Sequence, residues 1–208
     1  MILVSSIMAL ASSAGGRPPG TVAAVSKPRL LPWSDHLPAS SQSDFTLPDP
    51  GTLVGAWIAR LSSDGRRPLL HNEGQWIDRR SFLEATSAIA GRLHQAGLVP
   101  GDRVLISGQA SMDLVVAHVA CLRLGLVVVP TNGAYREPEL THVVRDARPR
   151  AALVDHHGWA DSLWSLDEEL LVTTSSVDLP EGPPPPLDQL RPDSPALIAY
   201  TSGTTGRP

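Results

Sequence analysis

Arg103-Val-Leu-Ile-Ser107, then Met112-Asp-Leu-Val-Val-Ala-His-Val-Ala-Cys-Leu-Arg-Leu124, Gly125 and Leu126-Val-Val-Val129 form the stretch whose pattern decides the fold. Pro100-Gly101-Asp102 is turn chemistry, proline presetting its φ and glycine taking a φ that other residues avoid, and it delivers the chain into a strand over Arg103–Ser107. The next thirteen residues are apolar nearly all round, as a helix covered on several sides requires. Gly125 ends that helix. Leu126–Val129 is a run without alternation, the mark of a strand buried on both faces of a parallel sheet. Strand, helix and strand in this order predict a βαβ unit.

Working outward, the pattern repeats. Pro138 can occupy a first helical turn, Leu140, Val143, Val144 and Ala147 share a face, and Ala151–Val154 reads as another short buried strand. Two right-handed crossovers follow from that order. Leu170–Thr173 is a further strand, the four prolines of Glu181–Pro186 predict an exposed connection, and Ala196–Tyr200 is the final strand. Upstream, Asp49 as cap and Pro50 as opener predict a helix carrying Leu53, Val54, Trp57, Ile58 and Leu61. Pro68–Ile77 predicts a hairpin leading to Asp78 as N-cap. The helix after it has Phe82, Ala85, Ile89 and Leu93 on one face and Gly97 at its end. The expected fold class is α/β, a mainly parallel sheet with flanking helices.

Composition fits a soluble globular protein, with 42% hydrophobic and 18% charged residues. A net charge of -4 and no long Lys/Arg run give no footprint for nucleic acid or an anionic membrane. The only cysteine, Cys121, lies in an apolar run; it is expected in the core, and a reducing, cytoplasmic setting fits. Residues 1–48 are expected to be a leader or disordered extension, because Ser, Gly and Pro are scattered there and no acidic residue precedes Asp35. The apolar start, Met1–Ala11, is too short to span a membrane, while a targeting peptide stays open.

The chemistry is concentrated at the end, in Thr201-Ser-Gly-Thr-Thr-Gly206. Gly203 and Gly206 let backbone N–H groups turn toward an anion. Thr201, Ser202, Thr204 and Thr205 offer hydroxyl donors to phosphate oxygens. A loop at the carboxyl end of a strand is where open α/β sheets bind ligands. The spacing G-x-x-x-x-G-K-[ST] occurs nowhere, so this is not the P-loop of GTPases. A plain surface turn of the same composition is the alternative.

Tyr200-Thr-Ser-Gly-Thr-Thr-Gly-Arg-Pro208 closely resembles the signature of the adenylate-forming superfamily of acyl-CoA synthetases, peptide-synthetase adenylation domains and luciferases. Gly97-Leu-Val-Pro-Gly-Asp-Arg-Val104 and Ala120–Pro130 resemble further family segments, and Asn132, Tyr135, Glu139, Leu140 and Asp146 continue the likeness. The resemblance implies the N-terminal part of the large domain of an adenylate-forming ligase, with 49–208 a partial AMP-binding domain that stops at the phosphate loop. It implies an ATP-dependent carboxylate–CoA ligase, using ATP, Mg2+ and CoA on a small carboxylic acid. Thr201, Ser202, Gly203, Thr204, Thr205 and Gly206 would grip the β- and γ-phosphates as positioning groups. The family's lysine after the proline, its downstream acidic residues and its C-terminal lysine have no counterpart in these 208 residues, so no catalytic residue is assigned.

Three other readings stay open: a truncated relic or nucleotide-binding module of the same fold, an amino-acid adenylation domain, and a flavodoxin-like single domain. Asp155-His156-His157 could be metal ligands, yet the spacing fits no zinc template and a solvated turn is expected. His118 and His142 are expected to pack or face solvent, and Tyr135 either faces substrate or packs. The acid itself is not encoded in a readable way.

Overall fold

The computed structural model describes residues 52–155 and 157–201, apart from the side chains of His157 and Val177. Thr52 caps the first helix, α1 (Leu53–Ser62), its Oγ1 accepting from the Gly55 N–H at 2.9 Å. The expected cap, Asp49, is therefore displaced by three residues. A threonine hydroxyl directly before the apolar run satisfies an orphan helix N–H, and Asp49 and Pro50 lie outside the described residues.

Strands β1 (Pro68–Asn72) and β2 (Gln75–Asp78) form the expected antiparallel hairpin. Its two-residue turn, Glu73-Gly74, has positive φ at both positions, the twist a tight hairpin needs. Asp78 caps α2 (Arg79–Gln95), its Oδ1 accepting from the Ser81 N–H at 2.7 Å. That hydrogen bond, with the nearby Arg80 charge as a lesser cause, holds the Asp78 carboxyl below the usual aspartate value. Gly97, at φ 91°, ends the helix, and the Leu98 N–H reaches back to the Leu93 carbonyl at 3.1 Å.

The main sheet has the order β4-β3-β5-β6, where β3 is Arg103–Ser107, β4 Val127–Pro130, β5 Ala151–Val154 and β6 Leu171–Thr173. All three pairings are parallel. Helices α3 (Met112–Leu124) and α4 (Glu137–Ala147) make the crossovers, as expected from the sequence. Leu126 belongs to the turn rather than to β4, because its N–H is spent on the Cys121 carbonyl at 2.9 Å behind Gly125.

Alternate strand residues feed two cores. Val104, Ile106, Val128, Ala151 and Leu153 pack with α1, α2 and α3, whereas Leu105, Val129, Ala152 and Val154 pack with α4 and a fifth helix. That double burial explains why the strand letters show no alternation. Cys121 lies in the first core with no exposed surface, and burial pushes its thiol up to about 12.

Helix α5 (His157–Leu166) was not expected. Its signal is present in Trp159, Ala160 and Leu163, buried at helical spacing in the second core, but the polar Asp155–Gly158 run before it reads as a turn.

The final strand is also corrected. Ala196–Tyr200 contributes a single parallel bridge, Leu197 to Val128, made by the Val128 N–H to the Ala196 carbonyl (3.0 Å) and the Ile198 N–H to the Val128 carbonyl (2.9 Å). Val127 in β4 and Thr131 just after it give their N–H groups to the β3 side, to the Asp102 and Ile106 carbonyls. The next donor toward Leu197 would be residue 130, which is proline and has none, so the ladder stops after one rung.

The Pro-rich connection is exposed at most positions yet strapped to α2. Arg92 donates to the Leu179 carbonyl and pairs with Glu181 at 2.6 Å. Gly91 leaves room for the backbone of Gly182–Pro184 to cross the helix.

Candidate functional site

Strand β3 is central: the chain leaves it for β4 on one side and returns through β5 on the other. In an open α/β sheet that reversal opens a crevice at the carboxyl ends of the strands. A cleft of about 560 Å³ lies there, at the ends of β3, β5 and β6. Its rim carries Gln109, Ser111, Asp155 and Thr173–Ser176, and its wall includes Ile89, Met112 and Leu153. The Asp155 Oδ2 accepts from the Gln109 N–H at 2.5 Å and so ties the loop after β3 to the end of β5. A side chain at Gly108 would come within 3.2 Å of the same carboxyl.

Asp155 therefore acts as a loop fastener. His156 lies outside the described residues. Among the described residues no group of three His, Cys, Asp or Glu could hold a metal ion.

The lead-in to the sequence-derived site lies on the other flank, beyond β4. Thr201 is exposed, directly after the segment bridged to Val128; Ser202, Gly203, Thr204, Thr205 and Gly206 fall outside the described residues. What the structure does place is their lead-in. The Tyr200 hydroxyl donates to Asp146 Oδ2 at 2.5 Å, and the His142 ring meets the Tyr200 ring edge-on at 5.7 Å between centroids. Both partners lie on α4, one turn apart. Partial burial, then the hydrogen bond and charge of Asp146, push the Tyr200 phenol well above its ordinary value, so it stays a donor at neutral pH.

Helix α4 is a firm support for this contact. Leu140, Val143, Val144 and Ala147 are buried, and Glu139 turns back to accept the Arg136 N–H at 3.0 Å, as an N-terminal glutamate does in a capping box. Tyr135 packs against the second core, so packing is the role the structure gives it. His118 is half-buried in α3, and burial lowers its imidazole pKa. The pairing of Tyr200 with Asp146 had no signal in the sequence, since 54 positions separate them.

An open, parallel α/β sheet, followed in the sequence after Thr201 by a glycine- and hydroxyl-rich run, belongs to a class of domain that takes small ligands at the carboxyl ends of its strands. The family described as AMP-binding enzyme matches residues 59–208, and the chain belongs to that family, part of the adenylate-forming superfamily. It is 30% identical over 167 residues to the fatty acid–[acyl-carrier-protein] ligase ScoC of Streptomyces coeruleorubidus, covering 76% of this chain and 32% of ScoC. It is 31% identical over 158 residues to the hybrid PKS-NRPS synthetase thnA of Trichoderma harzianum, covering 73% of this chain and 4% of thnA. Among solved structures, the N-terminal subdomain of Klebsiella oxytoca NpsA, in complex with 3-hydroxyanthranilyl-AMSN, superposes with a TM-score of 0.62 at 26% identity, over 76% of this chain and 39% of that one. The chain thus spans a third or less of the length of these two curated relatives.

Proposed function

We propose that the protein carrying this domain is an ATP-dependent ligase that activates a carboxylic acid as its acyl-adenylate and passes the acyl group to the thiol of CoA. The observation that carries this reading is the family match over residues 59–208, which ends in the glycine–hydroxyl run. In the first step the carboxylate attacks the α-phosphorus of ATP and pyrophosphate leaves. In the second the thiol sulfur attacks the acyl carbon and AMP leaves.

Charge on the triphosphate must be neutralised as the first step proceeds, and preorganised N–H and hydroxyl donors do this without reorganising. Thr201, Ser202, Gly203, Thr204, Thr205 and Gly206 are proposed for that task, holding the β- and γ-phosphates. Magnesium is expected to accompany the nucleotide. It would share the charge of the β- and γ-phosphates with these residues. On this reading residues 49–208 are a partial AMP-binding domain and residues 1–48 a leader or disordered extension. A cytoplasmic setting suits a lone, buried cysteine. No helix among the described residues is long and apolar enough to cross a membrane.

A second reading has its own support: ScoC, by its name, acts on an acyl-carrier protein, so the acceptor thiol can be one borne by a carrier protein instead of CoA. ATP–pyrophosphate exchange by the complete protein against a panel of carboxylic and amino acids tests the first step. Exchange with none of them would sink adenylation. Acyl transfer assayed with CoA and with a carrier protein in parallel then chooses the acceptor.

A further inference from the structure

We propose that Asp146 is a positioning residue for the nucleotide loop: it holds the Tyr200 hydroxyl and thereby fixes the direction in which the chain leaves the sheet at Thr201. The inference rests on the reading of Thr201–Gly206 as the phosphate-holding segment.

The sheet alone holds this lead-in weakly. Leu197 makes one bridge to Val128, and Pro130 denies the next rung its donor, so from Ala199 onward the backbone has no sheet partner among the described residues. A chain held at one point can pivot about it. The Tyr200–Asp146 contact supplies the second point, three residues beyond the bridge. Two fixed points set a direction, which one does not.

The contact is strong enough for that purpose. A phenol donating to a carboxylate is a charge-assisted hydrogen bond, among the strongest that side chains form. His142 lies four residues before Asp146 and so projects from the same side of α4; its ring edge limits the swing of the Tyr200 ring. The far end is rigid because four residues of α4 are buried in the second core. Ile198 and the Tyr200 ring pack against that same core. Thr201 is one peptide, about 3.8 Å between Cα atoms, from the clamped residue. Displacing Tyr200 would displace the first hydroxyl of the loop by a comparable amount.

The test uses the complete protein and two readouts, calorimetric titration with Mg·ATP and the ATP dependence of pyrophosphate exchange. Tyr200→Phe and Asp146→Ala each remove the bond, whereas Asp146→Asn keeps an acceptor oxygen. The expected result is ATP binding weakened and KM for ATP raised by about three- to ten-fold in the first two, the scale of one hydrogen bond. The exchange kcat and the melting temperature should stay close to wild type. Asp146→Asn should restore most of the affinity, and the double variant Tyr200→Phe/Asp146→Ala should be no worse than either single.

Unchanged ATP affinity in Tyr200→Phe would overturn the proposal, as would losses that merely follow melting temperature or an Asp146→Asn variant as weak as Asp146→Ala. A wild-type protein that binds no ATP would overturn it together with the phosphate-loop reading. Binding without exchange on any acid would remove adenylation alone, and the titrations would still decide the role of Asp146.

Discussion

Arg123 and Asp188 grip each other twice: the Arg123 guanidinium donates to the Asp188 carboxylate, with Nη2 to Oδ2 at 3.1 Å, and the Asp188 N–H donates to the Arg123 carbonyl at 2.9 Å. The same guanidinium also reaches the Leu83 carbonyl, Thr86 Oγ1 and Ser87 Oγ on α2. One buried cation thus joins α3, α2 and the segment after the prolines. Its charge is tolerated there because nearly every donor is used; an unpaired guanidinium in that position would cost several kcal/mol.

Removing one partner of this pair strands the other. Arg123→Ala is expected to lower the unfolding free energy by about 3–5 kcal/mol, and Arg123→Met, which keeps apolar volume, by less. Urea denaturation of Arg123→Ala, Asp188→Ala and the double variant reads the coupling. Additive losses would show that the two residues do not act as a pair.

Gly91 makes helix propensity and packing disagree in sign. In an ordinary helix interior Gly→Ala gains about 1 kcal/mol. Here the added Cβ would stand 2.3 Å from the Gly182 carbonyl oxygen and 3.0 Å from the Pro184 nitrogen, both backbone atoms. Gly91→Ala is therefore expected to destabilise, on the order of 1–3 kcal/mol, as overpacked cores do. Faster hydrogen exchange at the Gly182 amide together with a lower melting temperature is the expected signature. A raised melting temperature would count against the strap.

The protein is expected to lose stability below neutral pH through His118. Burial lowers its folded pKa below the ordinary 6.5, so between the two values the unfolded chain binds more protons than the native one. The contribution is complete above about pH 6.5 and is lost as pH falls through that value toward the folded pKa. Urea midpoints at pH 7.5 and 5.5, for wild type and His118→Gln, isolate the effect. Equal pH sensitivity in the two proteins would rule His118 out as its source.

Should the terminal run hold the triphosphate, Thr204→Val with Thr205→Val deletes two hydroxyl donors, and Gly203→Ala hinders the close approach of backbone N–H groups. In the complete protein this triple variant should weaken Mg·ATP binding by at least about tenfold, the worth of one to two hydrogen bonds. Wild-type affinity and turnover in that variant would end the assignment of these residues.

Much of the scaffold could be read from the letters because it depends on local chemistry. Gly97, Gly101 and Gly125 all take the positive φ their turns require, and the unbroken runs at 103–107 and 151–154 are strands buried on both faces. What could not be read depends on distant partners. The final strand was overestimated because the missing donor belongs to Pro130, on a neighbouring strand, and not to the segment itself. Helix α5 was obscured by the polar residues before it, although Trp159, Ala160 and Leu163 carry its period. At the candidate site the glycine–hydroxyl run was recognisable as a pattern. The Tyr200–Asp146 bond and the Arg123–Asp188 pair join residues 54 and 65 positions apart, and no local rule links such positions.

The strand order has a consequence for how such a sheet can be assembled. β3 is the earliest of its strands in the chain and ends at the centre; β4 adds on its left, β5 on its right, β6 outside β5, and Leu197 outside β4. Every newcomer joins at a free margin, and none must be inserted between neighbours that have already paired. A ribosome releasing this polypeptide from its amino end therefore presents each strand to a waiting edge, so a parallel topology that is slow to search from a fully unfolded coil can be laid down in order during synthesis.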